Sequence, residues 1–299
     1  MNLKPFDQPA TEDTVESKAS AHRTEPKVMV LTPVYNGAAY LRECIESVLA
    51  QDYQNWEYLI VDNCSTDGTR TIADEYAARD LRIRVTTNAD FLSMPQNFNH
   101  AFLQLASDAA YCKVICADDW ILPGCIRKMV ALAEQNPSVG IVGCYQQSAS
   151  RVRWAVFPPS RSVIPGREAC RVSLIDSAHV MPQPTAALYR ADLLRAGKPF
   201  FPNDQPHSDT SACFEALDRC DLGVVHEVLA VERVHADQIT SQMADLASGD
   251  LAYVETVIEY GPRYLSPHEF EAFKPRVLRA HFRGLGRAVL NLRGREFWT

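Results

Sequence analysis

Several familiar signatures are missing from this 299-residue chain, and each absence narrows what it can be. The nine cysteines contain no Cys-x-x-Cys pair. The nearest spacing is Cys112 to Cys116, and several cysteines sit inside apolar runs, as in Val114-Ile115-Cys116 and Ile141-Val142-Gly143-Cys144. Buried free thiols in a reducing cytosol are the plain reading. No apolar run approaches the roughly 20 residues that span a bilayer. The N-terminus lacks the basic–apolar–small order of a secretory leader, so a cytoplasmic protein is expected. The basic excess of a nucleic-acid binder is absent too, the net charge being −7, and no nucleic-acid partner is expected. Neither a GxGxxG turn after the first apolar run nor a Walker A lysine loop is present, so a pyrophosphate cannot rely on such a backbone cradle. Internal repeats are lacking as well.

What the chain does contain is a regular alternation. Residues 1–26 are polar, with almost no large apolar side chains, and are expected to form a disordered tail. From Lys27 onward, short apolar runs at 28–31, 56–61, 83–86, 111–116 and 139–144 read as strands. Between them, Leu41, Cys44, Ile45, Val48 and Leu49, then Ile72, Ala73 and Tyr76, then Phe98, Ala101, Phe102 and Leu105, then Ile126, Met129, Val130 and Ala133 follow helical spacing. Strands alternating with helices specify an α/β fold, a mostly parallel, Rossmann-like sheet flanked by helices. Ligands of such sheets bind beyond the carboxyl ends of the strands. Residues 146–185 are rich in Pro, Ser and Arg, and the alternation stops. Short strands at 186–189 and within 222–233, a helix over about 209–217, and a helical extension from about Met243 complete the expected organisation.

Three polar turns follow three of these strands. Thr32-Pro33-Val34-Tyr35-Asn36-Gly37 presents an aromatic that can stack on a flat base, or is simply a strand-to-helix turn. In Asp62-Asn63-Cys64-Ser65-Thr66-Asp67-Gly68-Thr69, Asp62 or Asn63 can accept from a base N–H, while Asp67 or Ser65 can cap the next helix. The third is Ala117-Asp118-Asp119-Trp120. Adjacent carboxylates after an apolar run are costly unless something cationic compensates them. A hard divalent cation shared with a diphosphate does so; a solvated acidic turn is the alternative. Each turn alone is weak evidence, but three at the strand ends of one sheet can converge. Lys113, inside the fourth strand, either reaches an anion or faces solvent. Trp120 either touches a bound sugar or packs in the core, and His207 either lines an acceptor site or lies on a plain loop.

Taken together and in order, Val30-Leu31-Thr32-Pro33-Val34-Tyr35-Asn36-Gly37, Ile60-Val61-Asp62-Asn63-Cys64-Ser65-Thr66-Asp67-Gly68-Thr69 and Ala117-Asp118-Asp119 resemble the family 2 glycosyltransferases of GT-A fold, across roughly residues 27–145. A looser resemblance runs to about residue 242 through Tyr189-Arg190, Asp209 and Leu229-Ala230-Val231-Glu232-Arg233-Val234-His235-Ala236-Asp237-Gln238-Ile239-Thr240. It implies one GT-A-like domain over 27–242, with a nucleotide-binding half (27–145) and an acceptor half (146–242), followed by a helical extension over 243–299. It also implies inverting transfer from a nucleoside-diphosphate sugar, a UDP-sugar by preference, to a hydroxyl on a glycan or lipid-linked acceptor, as in cell-surface polysaccharide or glycolipid synthesis. By resemblance, Pro33, Tyr35, Asp62, Asn63 and Asp118 hold the base and ribose. Asp119 holds Mg2+ or Mn2+, His235 is a further metal and diphosphate residue, Arg233 closes over the diphosphate, and Asp209 is the catalytic base.

The chain departs from that pattern at Asn63, where many members carry Asp, and at Ser93, where many carry Gly, which bears on the sugar pocket. Asp204 competes with Asp209 as base. In the extension, Arg276, Arg279, Arg283 and Arg287 share one helix face, and Leu278, Phe282, Leu285 and Val289 another. A basic amphipathic helix can lie on the inner face of an anionic membrane, or can be a solvated face packed on the domain. Two other readings are a sugar nucleotidyltransferase, which would need a Gly-rich basic loop after the first strand that is absent here, and a non-catalytic nucleotide-sugar binder, which would keep Asp119 without a positioned base.

Overall fold

The computed structural model describes residues 25–176, 180–202, 207–235 and 248–290. Nearly all of the polar tail, Asp204, the end of the 229–240 motif and the boundary near 242 lie outside the described residues. The N-terminal part alternates as β1 (Val28–Val34), α1 (Leu41–Leu49), β2 (Trp56–Asp62), α2 (Thr69–Ala77), β3 (Ile83–Thr87), α3 (Met94–Phe102), β4 (Tyr111–Val114), a two-residue β5 (Trp120–Ile121), α4 (Cys125–Gln135) and β6 (Val139–Ser148). Then come β7 (Arg151–Arg153), β8 (Val163–Ile164), α5 (Gly166–Ile175), a 3-10 turn (Pro184–Ala186), β9 (Ala187–Arg190), α6 (Ala191–Leu194), α7 (Ser208–Ala216) and β10 (Asp221–Glu232). Two long helices follow, α8 (Ser248–Tyr264) and α9 (Pro267–Leu290).

The sheet runs β3-β2-β1-β4-β9-β6-β10-β5. Strands β1 to β4 are mutually parallel, β9 is antiparallel to both neighbours, and β10 runs parallel to β6. The fold is thus α/β, with a mostly parallel sheet between helices and a helical C-terminal region. Both faces of the sheet are covered, which is why β1 reads as an unbroken apolar run. Met29 and Leu31 point into a core with α3, α5 and α7, while Val28 and Val30 point into a second with α1, α2 and α4.

Three features depart from the sequence expectation. Strand β6 continues to Ser148 and turns back as β7, the turn being made through Ala149 at φ 49°. Helix α5 lies inside the stretch expected to be irregular, and its Gly166 fits where a Cβ would come within 2.0 Å of the Leu217 carbonyl oxygen. Lys113 neither reaches an anion nor faces solvent. It is fully buried on a central strand, and its ammonium donates to the carbonyls of Val114 (3.1 Å), Ala187 (3.0 Å) and Thr185. A strand with β1 on one side and β9 on the other has no solvent face, so the charge is met by backbone dipoles instead.

Candidate active site

Strand β1 has β2 and β3 on one side and β4 on the other, so the order of the sheet reverses between β1 and β4. Crevices in α/β sheets form at such switch points. Leu31 is the last β1 residue paired with β4, whereas β1 stays paired with β2 as far as Val34. The Leu31 carbonyl faces β4, accepting from Ile115 N–H, and the Val34 carbonyl faces β2, accepting from Asn63 N–H. By that alternation Pro33 faces the side from which β4 has departed, and its missing N–H leaves no ladder bond unmade.

The first two polar turns are stitched together. Asn36, at φ 49°, accepts Thr66 N–H on its side-chain oxygen (2.8 Å), and its own N–H goes to Ser65 Oγ (2.9 Å). Gly37 N–H donates to Thr69 Oγ1 (2.8 Å), and Asp67 accepts from Ala38 N–H (3.1 Å) and Thr69 N–H (2.9 Å). Neither residue is the expected cap, since the N-cap of α2 is Gly68 without a side-chain cap; Asp67 instead holds the N–H of Thr69, the first residue of α2, and Ser65 serves the neighbouring turn. The third turn joins through Gly37, where an added Cβ would sit 2.6 Å from Val34 Cγ2 and 3.3 Å from Ala117 Cβ. Glycine lets the Asp118–Asp119 turn close on the other two.

At one end of this platform Tyr35 is half exposed and meets the exposed ring of Phe91 edge-on at 4.8 Å. Asp62 is buried, accepting from Ser65 N–H (3.1 Å) and Thr87 Oγ1 (3.3 Å). Asn63 is also buried, but its amide is engaged at both ends. It donates to the Leu92 carbonyl (2.8 Å) and accepts from Asn88 Nδ2 (2.7 Å) and Leu92 N–H (3.0 Å). It shapes the loop beside Phe91 and has less to offer a base than Asp62. Ser93 is the N-cap of α3, in a reciprocal capping box with Gln96.

The carboxylate turn holds the densest polar geometry. Asp119 is buried, accepting from Thr185 Oγ1 (2.7 Å) and from Arg233 N–H (3.1 Å). Burial first, and then the charge of Asp118, push its carboxyl up to about 7. Among the described residues, no lysine or arginine side chain forms an ion pair with either carboxylate. Asp118 meets His235 Nε2 at 3.1 Å. Arg233 crosses above, donating from Nε to the Asp118 carbonyl (3.1 Å) and pairing with Glu43. Its guanidinium lies over Tyr40 at 4.9 Å and over Trp120 at 4.8 Å. The Cys116 thiol and the two carboxylates bring ligand atoms within 4.8 Å of one another. A cation fits this donor set, which is rich in negative charge and, among the described residues, has no lysine or arginine side chain paired to its carboxylates.

Asp209 stands apart from these contacts, in the first turn of α7, accepting from Thr210 N–H at 2.8 Å. Burial raises its pKa above the usual carboxylate range, opposed by that N–H and by the nearby His207. Sequence reasoning missed Thr185, which lies in the stretch without periodicity. It also missed Phe91, which belongs to no repeating pattern, and Tyr40 and Glu43, which read as the approach to a helix. Cys116 was read as part of a strand, yet β4 ends at Val114.

A family model described as Glycosyl transferase family 2 matches residues 29–196, more than half of the chain. The chain is 37% identical over 119 residues to the putative glycosyltransferase EpsE of Bacillus subtilis (strain 168), covering 40% of this chain and 42% of that protein. The chain matches less than half the length of the first curated relatives. Among solved structures it is similar to S. aureus TarS in complex with UDP-GlcNAc, with a TM-score of 0.62 at 18% identity over 86% of this chain and 73% of that one. It is also similar to the mannosyltransferase PcManGT from Pyrobaculum calidifontis in complex with GDP-Man and Mn2+, with a TM-score of 0.63 at 18% identity over 90% and 76% of the two chains. At that identity the likeness is one of fold.

Proposed function

The chain belongs to glycosyl transferase family 2, and on that premise we propose that it moves a sugar from a nucleoside-diphosphate sugar to a hydroxyl acceptor with inversion at the anomeric carbon. The observation that carries this reading is Asp119, a buried carboxylate beside a second one, at the switch point of the sheet. Tyr35 and Phe91 offer aromatic surface to the base, with Asp62 to accept from its N–H, and Asp118 lies toward the ribose. Asp119, Asp118 and His235 are the residues that would hold a divalent cation. When bound, such an ion neutralises the charge that grows on the leaving diphosphate. Arg233 and His235 cover the same end. Asp209 accepts the proton as the acceptor O–H bond breaks and the oxygen bonds to the anomeric carbon, opposite the departing diphosphate oxygen.

The structural neighbours hold UDP-GlcNAc in one case and GDP-Man with Mn2+ in another. Their common chemistry is the nucleotide sugar, and UDP-sugars are the donors to try first. A glycan or lipid-linked acceptor fits the reading of cell-surface polymer or glycolipid synthesis at the cytoplasmic face of a membrane. No described helix is long and apolar enough to cross a membrane, but α9 leaves Arg279, Arg283, Arg287 and Phe282 exposed, the profile of a helix that rests on an anionic surface. The test is nucleoside-diphosphate release from UDP-glucose, UDP-GlcNAc, UDP-galactose and GDP-mannose, with Mn2+ and with EDTA. Release that stops in EDTA and falls by at least about a hundredfold in Asp119→Asn is expected. Donor binding without release would mark a non-catalytic binder and sink the reading.

A further inference from the structure

Resting on the assignment of the carboxylate turn as the cation site, we propose that Cys116 is its selectivity ligand. The thiol makes the centre prefer softer ions, Mn2+ and Co2+ and above all Cd2+ or Zn2+, over Mg2+. The transfer reaction outlined above has no use for a thiol, yet this one is held where the ion would sit. Sγ of Cys116 and one oxygen each from Asp118 and Asp119 lie within 4.8 Å of one another. Metal–sulfur and metal–oxygen bonds of roughly 2.3 and 2.1 Å span at most about 4.4 Å across a single ion, so the group needs to close by only ~0.4 Å to share one. His235 Nε2, at 3.1 Å from Asp118 Oδ2, brings a nitrogen to the edge of the same group.

The placement of Cys116 is built. Its N–H donates to Thr185 Oγ1 (3.0 Å), the hydroxyl that also donates to Asp119 (2.7 Å), and its carbonyl accepts from Cys44 Sγ (3.6 Å). One threonine therefore fixes both the thiol residue and the metal-facing carboxylate. Thr185 is braced in turn by the Lys113 ammonium on its carbonyl. An all-oxygen cage suits Mg2+, whereas sulfur and imidazole draw the site toward later and softer ions. When such an ion binds, the Cys116 S–H bond breaks, the proton leaves to solvent and a sulfur–metal bond forms, with no change of oxidation state.

The experiment uses the full chain, stripped with EDTA and titrated with Co2+, with near-ultraviolet absorbance reporting thiolate-to-cobalt charge transfer. Affinities for Mg2+, Mn2+ and Cd2+ are then measured by competition. The expected result is a charge-transfer band that is lost in both Cys116→Ser and Asp119→Asn. Cys116→Ser should weaken Cd2+ binding by about tenfold or more while changing Mg2+ binding little, and Cys116→Asp should turn the order toward Mg2+. Melting temperatures confirm that the variants are folded, with Cys116→Ala as a second replacement. Cobalt that binds through Asp119 without the band, with an unchanged ion order in Cys116→Ser, overturns the proposal and leaves the cation site intact. Cobalt binding indifferent to Asp119→Asn overturns both.

Discussion

Asp119 and Asp209 are both carboxyls raised by burial, and the proposed function gives them opposite uses. Asp119 faces Asp118, Glu232 and Cys116, with Thr185 and the Arg233 N–H as donors, while His235 pairs with Asp118. In the metal-free protein its folded pKa of about 7 lies above the 3.8 of a free carboxyl. Between those values the native state keeps a proton that the unfolded chain has lost. This group's stabilisation is therefore fully present below the lower value and is lost as pH rises through the higher one. In EDTA the melting temperature is expected to fall from pH 5.5 to pH 8 more steeply in the native chain than in Asp119→Asn, and added Mn2+ should erase that excess. Equal slopes would remove Asp119 from the account. Asp209 must be ionised to act as a base, so its raised pKa places the acid limb of kcat/KM above the ordinary carboxylate range, near 4. Asp209→Asn should lower kcat by about a thousandfold and leave donor affinity as it was, measured by calorimetry with UDP. Turnover at the native rate would reassign the base.

At the scale of elements, the site is a property of how turns are joined. The 3-10 turn bearing Thr185 hangs on the Lys113 ammonium. Lys113→Met keeps the volume and removes the donors, so three carbonyls lose their partner; a loss of about 3 kcal/mol in urea unfolding is expected, together with weaker metal binding. A variant of native stability and metal affinity would show that the brace carries nothing. Strands β1 to β4 and helices α1 to α4 were legible because each shows a local period, and the three turns because they sit at strand ends. Strand β5 was not legible: two residues long, it exists by pairing with Ala230 and Val231 far along the chain. Thr185 and the brace were hidden for the same reason, since the contacts that define them join β4 to a segment about 70 residues later. Asn63 was recognised as polar and near a base, but nothing in its neighbours revealed that Asn88 and Leu92 would claim its amide.

For the whole molecule, charge is unevenly distributed. Residues 274–299 contain seven of the thirty Lys and Arg residues and a single acidic one, so that segment carries +6 within a chain of −7. Val277 anchors α9 in the core, while Arg279, Arg283 and Arg287 stay exposed with Phe282 beside them. Basic residues near an anionic bilayer contribute about 1 kcal/mol each. The native chain should float with vesicles containing phosphatidylglycerol and not with pure phosphatidylcholine. Replacing Arg279, Arg283 and Arg287 by Glu should abolish flotation, as should high salt. Flotation indifferent to charge would leave α9 as a solvated face.

The stacking of Arg233 on Trp120 gives the site an optical property. Of the four tryptophans, Trp154 packs against Gly143 and Trp56 lies under Arg82, while Trp120 alone of these three adjoins the carboxylate turn through its chain neighbour Asp119. Any shift of residues 233–235 changes what lies on its indole face, and with it the colour and yield of its emission. The chain thus carries an unlabelled fluorophore beside its carboxylate turn. Stopped-flow mixing with UDP and Mn2+ can follow occupancy in real time, with Trp120→Phe as the dark control.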